Sequence, residues 1–336
     1  MVALVTGAAQ GLGHATALRL AADGHRVAVN DITDDGRLSQ LADRIGGIAV
    51  PADIAGPDAA PAMVGAVTAA LGPVQILVAN AAAMAMSPFL DAKPDDWWHQ
   101  IEVNLSGHFR LIQEVIPGMR ARRHGRIVII ASGWGVIGHP NATAYAASKA
   151  GLIALTKGLG RELGPHGILA NAIAPSYIDT EQLNVDAADA GVSLDEIRRR
   201  YCELIPVRRL ATPEDIAGAV SFLAGPRSGA VIGQVLQPSG GVTRTRALPG
   251  SIRQGAGQCL KAEAGRSGRW TGGGCPGSPA PAHSPACRRS TGSAIMTSPC
   301  SAPPSTAAPP TALGQGSGRW PSARRHGTCG PAITSS

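Results

Sequence analysis

The chain has 336 residues, of which 44% are hydrophobic and 16% charged, with a formal net charge of +7. That apolar content is enough for a sizeable core and excludes a wholly disordered chain, while no stretch approaches the ~18 uninterrupted apolar residues of a membrane-crossing helix. The charge is uneven: residues 1–244 carry 20 bases against 22 acids, and residues 245–336 carry ten Lys and Arg against the single acid Glu263.

Val2 to Val5 form a short apolar run, as expected of a strand buried on both faces of a parallel sheet. The turn Thr6-Gly7-Ala8-Ala9-Gln10-Gly11-Leu12-Gly13 follows at once, and Leu12, Ala15, Leu18, Leu20 and Ala21 then keep a helical period. Strand, glycine turn and helix place backbone N–H groups and a helix N-terminus where a pyrophosphate can sit. The glycines are spaced G-x-x-x-G-x-G, and no Gly-Lys-Ser/Thr follows them, which excludes a triphosphate P-loop. The next strand, Arg26 to Asn30, ends in Asp31. An acid there accepts hydrogen bonds from adenosine ribose hydroxyls and repels a 2′-phosphate. Neither Gln10 nor Ile32 offers a positive charge to offset that repulsion, so the expected cofactor is NAD(H) rather than NADP(H).

Further strands are expected at 47–51, 74–79, 126–131, 168–173 and 233–237, with long helices over 95–121 and 144–163. Alternating strands and helices imply βαβ units, hence an α/β doubly wound Rossmann fold with a mainly parallel seven-stranded sheet. Its site should lie at the carboxyl ends of the strands. On the second long helix Tyr145 and Lys149 are four residues apart and project from one face. An ammonium beside a phenol lowers its pKa, giving an acid/base able to work near neutral pH. Ser132, thirteen residues before the tyrosine at the end of an apolar strand, is placed to hold the substrate oxygen.

Thr6-Gly7…Gly11…Gly13, Asn80-Ala81-Ala82, Asn104, Ser132, Tyr145…Lys149 and Asn171…Pro175 together resemble the short-chain dehydrogenase/reductase family, in order, over residues 1 to about 244. The resemblance implies a catalytic tetrad of Asn104, Ser132, Tyr145 and Lys149. In it Tyr145 passes a proton to or from the substrate oxygen, Lys149 binds the nicotinamide ribose, and Asn104 holds a water leading to solvent. It also implies cofactor contacts at Thr6, Gly7, Gln10, Gly11, Leu12, Gly13, Asp31, Asp53, Ile54, Asn80, Ala81, Tyr145, Lys149, Pro175, Ile178 and Thr180. Asp53 would meet the adenine and Thr180 the nicotinamide carboxamide. Three departures stand out: Ala79-Asn80-Ala81-Ala82-Ala83 where the family has Asn-Asn-Ala-Gly, Ser176 after Pro175 where glycine is common, and a first strand that begins at the second residue.

Residues 245–336 hold 15 Gly and 12 Pro in 92 positions and no apolar period, which is the composition of a disordered, low-complexity tail beyond a catalytic domain at 1–244. Five of the six cysteines lie there without a CxxC pair, and the nine histidines show no ligand spacing, so no metal site is expected. The lack of a secretory leader points to a reduced, cytoplasmic protein. The tail's scattered arginines lack the organisation of a nucleic-acid surface, so neither nucleic acid nor membrane is an expected partner.

The expected reaction interconverts a small-molecule secondary alcohol and its ketone. A 3-oxoacyl-thioester reductase and a non-catalytic NAD-binding sensor on the same fold are the competing readings. Specificity should reside in 176–206 with Met84, Met86, Trp134 and His139. Trp97 and Trp98 should pack in the core or a subunit interface. The family resemblance implies a homodimer or homotetramer through the two long helices.

Overall fold

The computed structural model describes residues 1–242, so the boundary expected at 244 and everything expected of 245–336 lie outside the described residues. Strand β1, Val2–Thr6, is buried along its whole length. It lies in parallel between β2, Arg26–Asn30, and β4, Ile76–Ala79. The chain also forms β3, Ile48–Ala49; β5, Gly125–Ile130; β6, Ile168–Ile173; and β7, Val235–Leu236. All pairings are parallel, in the order β3-β2-β1-β4-β5-β6-β7. The strand order reverses between β1 and β4, and a crevice opens there beyond the strand ends. The doubly wound, seven-stranded parallel sheet is thus the one the sequence predicts.

Ten α-helices fill the connections among the described residues. They are α1 (Gly11–Ala22), α2 (Arg37–Ile45), α3 (Ala59–Leu71), α4 (Pro94–Ile101), α5 (His108–Arg122), α6 (Trp134–Ile137), α7 (Thr143–Leu163), α8 (Gln182–Asp189), α9 (Leu194–Leu204) and α10 (Pro213–Ala224). Side chains alternate across each strand. Val2 and Leu4 therefore join one core with Met63 and Val67 of α3, Leu111 and Val115 of α5 and Leu152 of α7. Ala3 and Val5 join the other with Leu20 of α1, Leu41 of α2 and Val220 of α10. Each fully buried aliphatic side chain contributes about 1.5–3 kcal/mol, so two packed faces hold the sheet flat against both helix layers.

Three expectations change in detail. The edge strands β3 and β7 keep two residues each rather than five, because pairing beside β3 passes to irregular hydrogen bonds: Val50 N–H donates to the Val29 carbonyl at 2.8 Å and Ala52 N–H to that of Asp31 at 2.9 Å. The helix expected over 95–121 is broken by a π-helical turn, Glu102–Gly107, between α4 and α5. Its cause is tertiary: the Asn104 amide accepts from Ala83 N–H at 2.7 Å and donates to the Ala83 carbonyl at 2.8 Å. Of the paired tryptophans only Trp97 packs inward, its indole N–H donating to the Thr143 hydroxyl at 3.2 Å, while Trp98 is 63% exposed. No described helix is long and apolar enough to cross a membrane.

Candidate active site

The glycine turn between β1 and α1 is built from positions that tolerate no side chain. Gly7 has φ +65°, and a Cβ on it would stand 2.8 Å from the Ala81 Cα. A Cβ on Gly13 would fall 2.0 Å from the Gly7 carbonyl oxygen and 2.8 Å from the Asn80 amide nitrogen. Helix α1 therefore starts directly against the turn, its N-cap Gln10 makes no capping hydrogen bond, and its first-turn amides face an anion-sized space. A cradle that a Cβ would fill fits a dinucleotide pyrophosphate. Gly13→Ala should weaken NADH binding at least tenfold, read by fluorescence titration, and destabilise the fold by about 1–3 kcal/mol through overpacking.

Thr6 takes a different part from the one expected. It is fully buried, and its hydroxyl accepts from the N–H groups of Asn80 at 3.0 Å and Ala81 at 3.1 Å. Asn80 in turn donates to the carbonyls of Thr6 at 2.9 Å and Gly7 at 3.1 Å. Thr6 thus ties β1 to the end of β4 behind the cleft wall. At the end of β2, one carboxylate oxygen of Asp31 accepts from Ala9 N–H at 2.9 Å and the other from Ile32 N–H at 2.8 Å. Buried Asn30 donates to the carbonyls of Val50 at 2.9 Å and Ala52 at 3.0 Å, which fixes the stretch leading to Asp53. Sequence reasoning missed Arg37, which is ion-paired with Asp35 at 2.8 Å and donates to the Gln10 amide oxygen at 2.7 Å.

One cleft of about 520 Å³ runs past these residues, a size within the ~300–1,000 Å³ range of small-molecule and cofactor sites. Gly7, Gln10, Gly11, Leu12, Gly13, Asp31, Asp53, Ile54, Asn80, Ala81, Ser132, Tyr145, Lys149, Pro175, Ile178 and Thr180 all line it. Among the expected catalytic and cofactor-contact residues, Thr6 and Asn104 alone do not. Met84 and Trp134 line the cleft, whereas Met86 and His139 do not. His139 instead stacks on Trp134, with ring centroids 3.8 Å apart. The 176–206 segment contributes residues from Ser176 through Asp186 but none from α9. His99 of α4 and Val103 of the π turn also line it, and neither was foreseen.

Ser132 follows β5 and is braced by the end of β6, since Ala131 N–H donates to the Ile173 carbonyl and Gly133 N–H to that of Pro175, both at 2.7 Å. Trp134 N–H donates to the Ser132 hydroxyl at 3.1 Å. The Ser132 hydroxyl meets the Tyr145 phenol in a hydrogen bond that favours the phenolate, but burial dominates and raises the phenol above its ordinary value. Lys149 is 1% exposed and donates to the Ile130 carbonyl at 2.8 Å, its ammonium 5.4 Å from the centre of the Tyr145 ring. Burial lowers its own pKa to about 7. The expected lowering of the phenol by the ammonium is therefore corrected: desolvation in the cleft wall outweighs it at Tyr145, and the buried lysine points at a backbone carbonyl. Gly135 of α6 permits this packing, because a Cβ there would stand 2.7 Å from the Lys149 carbonyl carbon.

Asn104 is fully buried behind the cleft wall. Besides clamping Ala83, it donates to the Ser148 hydroxyl at 3.2 Å, and Ser148 donates to the Tyr145 carbonyl at 2.7 Å. Its side chain is thereby used in holding the loop after β4 and the start of α7 together. Ala82, which falls at the glycine of the Asn-Asn-Ala-Gly motif, adopts no positive φ. No cluster of metal-ligating side chains is formed among the described residues.

A family model described as enoyl-(acyl carrier protein) reductase matches residues 7–243. A 3-oxoacyl-acyl-carrier-protein reductase of Staphylococcus epidermidis is 35% identical over 245 residues, covering 71% of this chain and 98% of that protein. The short-chain dehydrogenase/reductase eriH of Hericium erinaceus is 39% identical over 249 residues, covering 71% and 96%. Among solved structures, a variant of actinorhodin polyketide ketoreductase with NADPH aligns with a TM-score of 0.69 and 34% identity, over 73% of this chain and 97% of the other. With the parallel sheet, the glycine cradle and the Ser132–Tyr145–Lys149 cluster in one cleft, these matches establish that the chain belongs to the short-chain dehydrogenase/reductase family of oxidoreductases.

Proposed function

We propose that the protein interconverts a small secondary alcohol and its ketone using NAD(H), with Tyr145 as the proton donor and acceptor. The observation that carries this reading is the Ser132–Tyr145 hydroxyl pair on the wall of the cleft that also holds the glycine cradle. Two hydroxyls converging on one point hold a carbonyl or alcohol oxygen, and the raised phenol pKa keeps a proton on Tyr145 for delivery at neutral pH. The dinucleotide, when bound, supplies or accepts the hydride. Lys149 and Asn104 support the tyrosine, the first by packing with its ammonium 5.4 Å from the ring centre and the second through Ser148.

A 3-oxoacyl thioester is the substrate favoured by the named relatives. The catalytic unit is proposed to end near residue 244, in keeping with the family match to 243. A homo-oligomer is in keeping with the apolar surface that α4 and α5 present at Trp98 and Phe109, and a cytoplasmic location is proposed beside it.

The cofactor reading rests on Asp31, whose carboxylate the Ala9 and Ile32 amides hold at the cleft. The solved neighbour carries NADPH, and Arg37 supplies a cation near Gln10, which makes the preference a matter of direct measurement. With acetoacetyl-coenzyme A as substrate, kcat/KM should be higher with NADH than with NADPH. Asp31→Ala combined with Ile32→Arg should reverse the ratio by at least about tenfold, roughly 1.4 kcal/mol of differential binding. A wild-type preference for NADPH would overturn the assignment of Asp31.

A further inference from the structure

Gln100 of α4 is a polar side chain only 5% exposed. Its amide is spent on a single residue of the segment after β4. The oxygen accepts from Ala85 N–H at 3.2 Å, and the nitrogen donates to the Ala85 carbonyl at 3.3 Å. The same nitrogen reaches the Asp96 carbonyl at 3.4 Å. Asn104, four residues further on, makes the matching pair of bonds to Ala83. Ser87 N–H then donates to the Asn141 carbonyl at 2.8 Å. Residues 83, 85 and 87 are thus bonded in turn, in the alternation of an extended strand, although their partners are two side-chain amides and a loop carbonyl.

The alternation sorts side chains as well as backbone. Met84, between the two clamped alanines, projects from the opposite face to theirs and lines the cleft. Both ends of the segment are tied to the region of α7. Asn104 donates to the Ser148 hydroxyl at 3.2 Å, and Ser87 bonds Asn141, two residues before that helix begins. Tyr145 stands between these anchors, so Met84 passes the level of the phenol. We propose that Gln100 is a specificity-determining positioning residue: by clamping Ala85 it keeps Met84 in the cleft wall beside Tyr145, where the thioether meets an unbranched apolar chain next to the substrate's carbonyl.

Asn104 alone would fix this segment at one residue, about which an extended chain can still turn. The second clamp, two residues on, removes that freedom. It also fixes which face Met84 takes, because a slip of one residue sends a side chain to the opposite face. Methionine is unbranched and adapts to what it touches, so the contact suits a straight alkyl chain better than a branched or charged group. Val103 and Leu183 add apolar lining to the same cleft. The substrate class is then a ketone, free or as a 3-oxoacyl thioester, that carries a straight alkyl chain. That class rests on the reaction proposed above, whereas the clamp does not.

Methionine methyl groups report the clamp without substrate or cofactor. The chain has six methionines, Met1, Met63, Met84, Met86, Met119 and Met296. Met63 and Met119 lie buried in the core and serve as controls of the fold. In ¹³C-methyl NMR of the full chain, Met84 is assigned by its loss in Met84→Leu. Gln100→Leu should move that signal toward the position of exposed Met1 and leave Met63 and Met119 in place. Gln100→Glu should restore it at low pH, because a protonated carboxyl donates and accepts as the amide does, whereas the ionised form has no proton for the Ala85 carbonyl. The Met84 signal of Gln100→Glu should therefore follow pH, while that of wild type, with the same His99 and Asp96 beside it, should not. If Gln100→Leu does not fold, this titration carries the test. An unmoved Met84 signal in folded Gln100→Leu, a pH-independent signal in Gln100→Glu, or equal movement of Met63 and Met119 would overturn the clamp. In activity, Gln100→Leu should lower kcat/KM for 3-oxooctanoyl-coenzyme A relative to acetoacetyl-coenzyme A by at least about tenfold, chiefly through KM. An unchanged ratio would overturn the specificity role. Wild-type protein inactive on both thioesters and on simple ketones would remove the proposed reaction, and the Met84 signal would still decide the clamp.

Discussion

Tyr145→Phe is expected to lower kcat by about 10²–10⁴-fold, the range for a positioned acid/base, while NADH binding stays within about threefold of wild type. The phenyl ring keeps the volume and the edge-to-face contact with Trp134, whose ring centre lies 5.9 Å away, so the fold and the cleft wall survive. What disappears is the transferable proton. Because burial raises the phenol pKa, the wild-type group is protonated at neutral pH. Ketone reduction, which needs the acid form, should therefore persist through neutral pH, and alcohol oxidation, which needs the phenolate, should climb as pH rises. A kcat for Tyr145→Phe within about threefold of wild type would remove the proposed mechanism.

Lys149→Met should separate activity from stability. Turnover should fall steeply. Stability should move the other way. The folded protein holds Lys149 at a pKa of about 7 against an ordinary value of 10.5. Between these values the unfolded chain binds the proton and the folded one does not, so wild-type stability rises with pH across that window. The cost of the buried lysine is thus greatest at and below neutral pH. Methionine removes that cost but leaves the Ile130 carbonyl without its donor. The net gain should be about 1–3 kcal/mol at pH 7, roughly 2–10 °C in Tm. The difference between the two proteins should shrink from pH 7 toward pH 10, and a Tm difference that stayed constant would contradict the assigned shift.

The reach of the sequence can be judged from particular residues. The strand–glycine–helix opening was legible because Gly7 and Gly13 answer to local geometry, a positive φ in one and a blocked Cβ in the other. Tyr145 and Lys149 were legible because they share a helix face. The π turn was not, since it depends on Asn104 gripping Ala83, 21 residues earlier, and no apolar period registers a side-chain hydrogen bond. Val103 reaches the cleft from that same turn and was missed with it. The structural part of Thr6 was not legible, because its motif position names a residue near the cofactor and does not show its hydroxyl bonded to Asn80 and Ala81. The direction of the Tyr145 shift was misread for a related reason: spacing reports proximity but not desolvation, and desolvation is the larger effect here.

The π turn also sets a phase. It adds one residue to what would otherwise be a continuous helix, and each residue advances an α-helix by about 100°. The face of α4 that carries buried Gln100 and the stripe of α5 that carries Leu111, Val115 and Met119 are therefore offset by that rotation. Without the extra residue, an α5 rotated to keep its apolar stripe on the sheet would swing Asn104 away from Ala83 and α7. Keeping Asn104 in place would turn the stripe toward water. The two halves can satisfy the core and the catalytic wall at once only because the helix miscounts by one between them.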